Sequence, residues 1–163
     1  MKKKGKIIIG AVSALLAIAI LIPVSYYFIF TETIVLDSMP APDIQEQIDI
    51  YAELGYCISG HSDGENIEIR LTRQQRQKWI KDVQEEVDFL LDEANDLNDM
   101  NFEVSGDFKE LILIANENMS FNSMTPYLLG LTYDMQLFQV LNGEDDWGIC
   151  FTLKDMDTYE VLY

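Results

Sequence analysis

The chain has 163 residues, of which 48% are hydrophobic, and its 28 acidic residues outnumber its 11 basic residues to give a formal net charge of −17. This charge disfavours nucleic acid as a partner, because phosphate binding needs Lys and Arg to replace condensed counterions. It also predicts repulsion from anionic lipid headgroups. A solvated, self-repelling surface is one interpretation of the charge, and attraction of cationic partners or divalent metal is the other.

The N-terminal region has the composition of a membrane anchor. Residues 7–30 are 24 uncharged, mostly apolar positions, and residues 1–6 contain four lysines. At a rise of about 1.5 Å per residue such a helix crosses a hydrocarbon core of about 30 Å, whereas a cleavable signal has an apolar region of only about 7–15 residues. Basic residues beside a span tend to stay in the cytoplasm. The sequence therefore predicts a single-pass cell-membrane protein with a cytoplasmic N-terminal tail and an extracellular C-terminal domain.

A cleaved signal peptide is the alternative. Residues 23–27 lack the small side chains of a cleavage site, and the aromatic residues near Phe30 suit the headgroup region at the end of a span. A lipoprotein would need an acceptor Cys directly after the apolar run, and the chain has none there. Beyond the predicted anchor, seven basic residues remain against all 28 acidic ones, so the outer part carries a net charge near −21.

Residues 31–43 contain two prolines among short polar and apolar groups, a composition that predicts an irregular stalk. The extracellular domain is then expected over residues 44–163. Asp43 and Glu46 have the spacing of a capping box, and apolar residues at helical spacing follow as far as Gly55. A short amphipathic helix is predicted there.

A hairpin and the strongest helix signal come next. Residues 56–59 and 66–71 flank a turn-rich stretch, which is typical of two paired strands. Thr72 and Gln75 form a second capping box, and apolar residues then repeat at spacings of three and four. The sequence predicts a helix over residues 73–97.

Four more strands are predicted from alternating or continuous apolar runs. Residues 102–104 and 108–115 are separated by a turn, and the second of these is apolar on both faces, as a central strand would be. Residues 147–153 and 159–163 form the closing hairpin.

The predicted helix at residues 126–141 is apolar on more than one side. Ser123 or Thr125 can cap it, and Asn142 with Gly143 supplies the stop. Either this helix is deeply buried or it meets a partner. The side chains predicted to face a partner are Leu129, Tyr133, Leu137 and Val140.

The order from residue 66 onward is strand, helix, strand, strand, helix, strand. This order predicts an α+β fold, a ferredoxin-like βαββαβ sandwich whose two helices cover one face of an antiparallel sheet, with an added C-terminal strand.

No residue pattern identifies a catalytic, cofactor-binding or metal-binding site, and no cofactor is expected. His61 is the only histidine, and we interpret it as a surface turn residue because no nucleophile motif accompanies it. Acidic clusters occur at residues 96–99, 144–146 and 155–157, and none has the ligand spacing of an EF-hand loop. Weak calcium binding is the alternative to solvated turns and helix caps at these positions.

Cys57 and Cys150 are the only cysteines, and both follow the predicted span, where an oxidising compartment permits a disulfide. Because neighbours in a strand alternate sides, Cys150 would face the side of the sheet that the helices leave open. The segment at residues 44–59 has an apolar stripe to bury, and packing on that side would bring Cys57 to Cys150. We therefore predict a Cys57–Cys150 disulfide, with two packed free thiols as the alternative.

The run Leu71–Arg76, the pair Asn142–Gly143 shortly before Trp147, and the final hairpin resemble small uncharacterised membrane-anchored or lipoprotein ectodomains of Gram-positive bacteria. The resemblance covers residues 66–163 and implies no activity. The chain departs from the lipoprotein members because it lacks their acceptor Cys.

These patterns predict a non-catalytic interaction domain that binds another envelope protein. The prediction combines a helix that is apolar on more than one side with a sequence in which no catalytic constellation is recognised. An extracellular enzyme of unknown chemistry is one alternative, and a weak calcium-binding surface module is the other.

Overall fold

A computed structural model describes most of the chain after residue 30. The described ranges are residues 31–37, 44–62, 66–97, 99–116 and 119–162. The predicted cytoplasmic tail and the predicted anchor at residues 7–30 lie outside them. Within the described ranges, no helix has both the length and the apolar character needed to cross a membrane.

The described residues form an α+β fold, which confirms the predicted fold class. They contain three helices and six strands. In chain order the elements are β1 (Thr31–Asp37), α1 (Ile44–Glu53), β2 (Ser59–Ser62), β3 (Asn66–Thr72), α2 (Arg73–Asn95), β4 (Met100–Val104), β5 (Glu110–Ala115), α3 (Phe121–Leu141) and β6 (Cys150–Asp155).

The strands form two three-stranded sheets, and this differs from the single antiparallel sheet that the sequence predicted. The first sheet has the order β1-β3-β2 and is antiparallel throughout. The second has the order β4-β5-β6, with β5 and β6 side by side and parallel. The reason is that β1 and β2 occupy both edges of β3, so no strand of the second sheet can pair with it. The predicted final strand is reduced to one bridge between Lys154 and Val161.

Strand β1 corrects the prediction of a stalk that starts at residue 31. Ile34 and Leu36 are buried, at 9% and 1% exposure, whereas Val35 between them is 47% exposed. This alternation is that of a strand with one face on a core. Residues 38–43, the rest of the predicted stalk, lie outside the described residues.

Helix α2 begins where its capping box predicts. The backbone N–H of Gln75 donates to the Thr72 hydroxyl at 3.2 Å, and the Thr72 N–H donates to the Gln75 side-chain oxygen at 2.9 Å. Two of the free N–H groups at the start of the helix are thereby satisfied. The helix ends at Asn95, two residues before the predicted end.

Helix α3 begins at Phe121, before the predicted start at residue 126. Pro126 therefore lies inside the helix, beyond its first turn, and its ring removes one backbone donor there. The helix ends at Leu141 as predicted, and Gly143 just beyond it adopts a positive φ of 83° that favours glycine.

Two helices join the sheets through two hydrophobic clusters. The first cluster contains side chains of β1, β3 and α1, and the second contains or packs against side chains of β4, β5 and β6. Helix α2 contributes Trp79 to the first cluster and Val87 to the second. Helix α3 contributes Leu137 to the first cluster and Leu131 to the second. Both helices therefore run across the two sheets and are apolar on the sides that face them.

Candidate interaction surface

Helix α3 does not present the predicted partner-facing residues as one surface. Leu137 is only 2% exposed, and Tyr133 and Val140 are partly buried against the first cluster. Leu129 alone is well exposed, at 65%. Burial therefore excludes Leu137 from a partner-facing row and leaves Tyr133 and Val140 only partly accessible. The helix packs on α2 and on both clusters, so it is deeply buried. Deep burial was one of the two explanations that the sequence left open for this helix.

The exposed Leu129 lies beside a close crossing of α2 and α3. At this crossing a Cβ atom on Gly130 would lie 3.0 Å from Cδ1 of Leu90, so the small residue lets the helices approach. Phe89 and Leu129 immediately precede the two crossing residues, and Phe89 is 53% exposed. Two large apolar side chains thus remain in solvent next to the helix contact.

Carboxylates surround Phe89, the aromatic member of the exposed pair Phe89 and Leu129. Glu85, Glu86, Asp92 and Glu93 stand three or four positions from Phe89, which makes them its neighbours on the helix surface, and all four are exposed. We call Phe89, Leu129 and these four acids the helix-crossing patch. Phe89 was not among the residues predicted to face a partner. The signal that could have found it is a large aromatic residue on the polar side of a strongly amphipathic helix.

A titratable carboxyl lies between the same helices. Asp134 on α3 has its pKa raised to about 7, first by burial and then by the negative charge of Glu86. One residue earlier, the hydroxyl of Tyr133 is hydrogen-bonded to the hydroxyl of Tyr51 on α1. Burial, followed by the influence of Tyr51, raises the pKa of Tyr133. The contact between the helices therefore contains a carboxyl that exchanges its proton near neutral pH.

Gln139 is a buried polar side chain that the sequence did not indicate. It is 1% exposed, and its amide nitrogen donates to the carbonyls of Phe108 and Gly148 at 2.6 and 3.0 Å. Its side-chain oxygen accepts from the Gly148 N–H at 3.0 Å. This residue ties α3 to the loops that precede β5 and β6, so its role is structural.

The predicted Cys57–Cys150 disulfide is absent, because both thiols are free. Cys57 packs in the first cluster, whereas Cys150 is exposed as the first residue of β6 in the second sheet. The expectation assumed one sheet with an open side for residues 44–59, but α1 covers the first sheet instead. Burial raises the pKa of the Cys57 thiol.

His61 lies in β2, opposite Glu68 of β3, and not in the predicted turn. In the acidic clusters, Glu144 pairs with Lys109 at 3.1 Å. Asp155 accepts hydrogen bonds from the backbone and hydroxyl of Thr158, which lower its pKa.

In the parts of the chain that the structure describes, no three His, Cys, Asp or Glu side chains are grouped as metal ligands would be. No protein-family model, curated protein or solved structure matches this chain.

Proposed function

We propose that the chain is a single-pass cell-surface protein whose acidic α+β domain binds another envelope protein without catalysing a reaction. Residues 7–30 would anchor it, with the lysine-rich tail in the cytoplasm and the domain outside, as the charge beside the apolar run favours. The observation that supports binding is the helix-crossing patch. Single exposed apolar residues are normal on protein surfaces, but here two large ones flank a helix contact.

The chemistry of the patch indicates the chemistry of the partner. Phe89 and Leu129 offer apolar contact area, and aromatic residues are frequent among those that dominate binding energy. The surrounding carboxylates favour a partner with basic side chains around an apolar centre, because complementary charge speeds encounter and excludes wrong partners. The net charge near −21 after residue 30 acts in the same direction at longer range.

We further propose that residues 66–155 are a variant of the ferredoxin-like sandwich, within the Gram-positive ectodomain group that the sequence resembles. The element order β3-α2-β4-β5-α3-β6 supports this classification. The direct parallel pairing of β5 with β6 is the feature that departs from it. An experimental structure in which β3 pairs with a strand of the second sheet would support the standard ferredoxin-like sheet instead of this variant.

Co-purification of the full chain from native membranes tests the binding function. Phe89→Ser and Leu129→Ser change exposed side chains, so they should reduce partner recovery while leaving the fold intact. Val35→Ser is the matched control, because Val35 is also about half exposed but lies on β1. Equal recovery with all three variants would contradict the role of the patch. Turnover of envelope material by the purified chain would support the enzyme alternative instead.

Two further measurements address the anchor and calcium. Protease added to intact cells should remove the domain and leave the basic tail protected, and recovery of a soluble chain starting near residue 26 or later would contradict the anchor. A calcium-binding module would show a melting temperature that rises with calcium in the millimolar range, because a ligand of the native state stabilises it by mass action. An unchanged melting temperature with calcium and with chelator would remove that alternative.

A further inference from the structure

The end of the first sheet at which β1 begins is basic, although the domain as a whole is acidic. Only seven basic residues follow residue 30. Three of them, Arg70, Arg73 and Arg76, lie at the end of β3 or in the first turn of α2. Thr31, the first residue of β1, pairs with Thr72 between them. The arginines therefore surround the point at which the chain leaves the predicted anchor.

Two of these arginines, Arg70 and Arg76, are held in place by contacts with β1. Arg70 donates to the Thr31 hydroxyl from Nε and Nη2, at 3.1 Å each. Nη1 of Arg76 lies 2.6 Å from Oε2 of Glu32 in an ion pair. Arg73 is exposed and has no ion pair with the described residues. Since Glu32 balances one arginine, this group of four charged side chains carries a formal charge of about +2.

Two exposed apolar side chains lie at the same end. Leu54 is 50% exposed and Ile58 is 39% exposed. The Ile58 N–H donates to the Arg70 carbonyl at 2.8 Å, and the Leu54 carbonyl accepts from Nζ of Lys78 at 2.6 Å. We call the three arginines with Leu54 and Ile58 the basic end.

We infer that the basic end docks on the anionic headgroups of the bilayer in which the apolar segment of the same chain is anchored. This inference rests on the anchor in the proposed function. Thr31 directly follows Phe30, so the basic end lies within about one Debye length, roughly 10 Å at 0.1 M salt, of the lipid surface. Positive guanidinium groups gain from lipid phosphates at that distance, and exposed leucine and isoleucine side chains suit the boundary of the acyl chains.

Docking at this end also orients the domain. Glu86 in the helix-crossing patch is thirteen residues beyond Arg73 on α2, which is about 20 Å away at 1.5 Å per residue. The acidic helix-crossing patch therefore lies about two Debye lengths from the basic end along α2. The sequence expectation that anionic lipid repels the domain used only net charge, whereas the structure separates the charges along α2.

The test uses the full chain in nanodiscs of phosphatidylcholine alone or of phosphatidylcholine with phosphatidylglycerol. A fluorophore is attached through Ser59→Cys, an exposed position that pairs with Arg70 but is not part of the basic end, in a Cys150→Ser background. The other native thiol, Cys57, is buried. A quencher on the lipid headgroups then reports how close this position comes to the surface. Val35→Cys on β1, some four residues from the entry point, provides the comparison site.

Docking predicts that phosphatidylglycerol increases quenching at position 59 more than at position 35. Arg73→Gln should lower the ratio of docked to undocked domain about fivefold, the usual effect of one basic side chain near an anionic surface. Lys81→Gln, which changes an exposed cation further along α2, should leave the ratio unchanged. Higher ionic strength should also lower the ratio of docked to undocked domain, as Arg73→Gln does.

Two negative results have different meanings. Equal quenching in both lipid mixtures, or equal effects of Arg73→Gln and Lys81→Gln, would overturn docking while leaving the anchor intact. Release of the unmodified chain from neutral nanodiscs by washing would contradict the anchor itself, and docking in this orientation would fall with it.

Discussion

Replacing Leu36 by Ala should destabilise the domain by about 3 kcal/mol, because Leu36 of β1 is 1% exposed and packs in the first cluster. Truncation of a buried leucine to alanine typically costs about 2–5 kcal/mol, from lost transfer free energy and from the remaining cavity. If residues 31–37 were a stalk, as their composition indicated, the same change would cost nothing. The mutation therefore separates a folded strand from a tether.

The control for this prediction is on the same strand. Val35→Ala alters a side chain that is 47% exposed, so its effect should stay within about 0.5 kcal/mol. Deleting β1 altogether removes the burial of Ile34 and Leu36, about 1.5–3 kcal/mol each. That is a large part of the roughly 5–15 kcal/mol that stabilises a typical domain.

Urea denaturation of residues 31–163 measures these effects. With a urea dependence of about 1–3 kcal/mol per molar for a domain of this size, Leu36→Ala should lower the midpoint by roughly 1–3 M. The fragment 38–163 should be far less stable, or unfolded, because it also exposes an edge of β3. Equal midpoints for Leu36→Ala and Val35→Ala, or an unchanged midpoint for the fragment, would refute the packing of β1 against β3.

Three further predictions concern polar groups and thiols. Since the pKa of Asp134 is raised to about 7 in the folded domain and lies near 3.9 when unfolded, its ionisation removes stability as pH rises from about 4 to 7. Asp134→Asn should therefore raise the free energy of unfolding by at most about 4 kcal/mol above pH 7, or by about 2 kcal/mol after allowance for partial exposure, and should not change it below pH 4. Equal gains by urea denaturation at both pH values would contradict this, as would an equal gain from the exposed control Asp88→Asn. Gln139→Leu leaves three backbone groups unpaired and should cost about 3 kcal/mol in thermal unfolding, whereas an unchanged melting temperature would show that water replaces the amide. Cys150 should be alkylated rapidly in the folded protein, and Cys57 should be alkylated only after unfolding. If both thiols react only after reduction, the Cys57–Cys150 disulfide is present after all.

The elements that the sequence predicted well are those whose signals are local. Thr72 and Gln75 stand three residues apart, so the start of α2 follows from a contact within one helical turn. The hairpin of β2 and β3 is likewise formed by neighbours in the chain, although β2 is Ser59–Ser62 and not the predicted residues 56–59. The acidic composition and the apolar run at residues 7–30 are properties of the sequence itself.

Strand partners are not local, and here the sequence was insufficient. The pattern of residues 31–37 is too short to distinguish a strand from a stalk until β3 provides its hydrogen bonds. Once β1 and β2 occupy the two edges of β3, no strand of the second sheet can pair with it. The Cys57–Cys150 prediction fails for the same reason, since it depended on the strand order.

The apolar surface of α3 needed its neighbours to be interpreted. Leu129 and Leu137 are the same residue type in the same helix, and the sequence assigned both to one partner-facing row. Packing on α2 and on both clusters buries Leu137, whereas Leu129 stays exposed next to the close approach of Gly130 to Leu90. By itself the sequence determined the charge, the apolar N-terminal run and the local helices, because these depend on residues close in the chain. Only the tertiary structure decided the sheet pairing, the exposed apolar patch and the position of the arginines beside Thr31, because each depends on which distant segments meet.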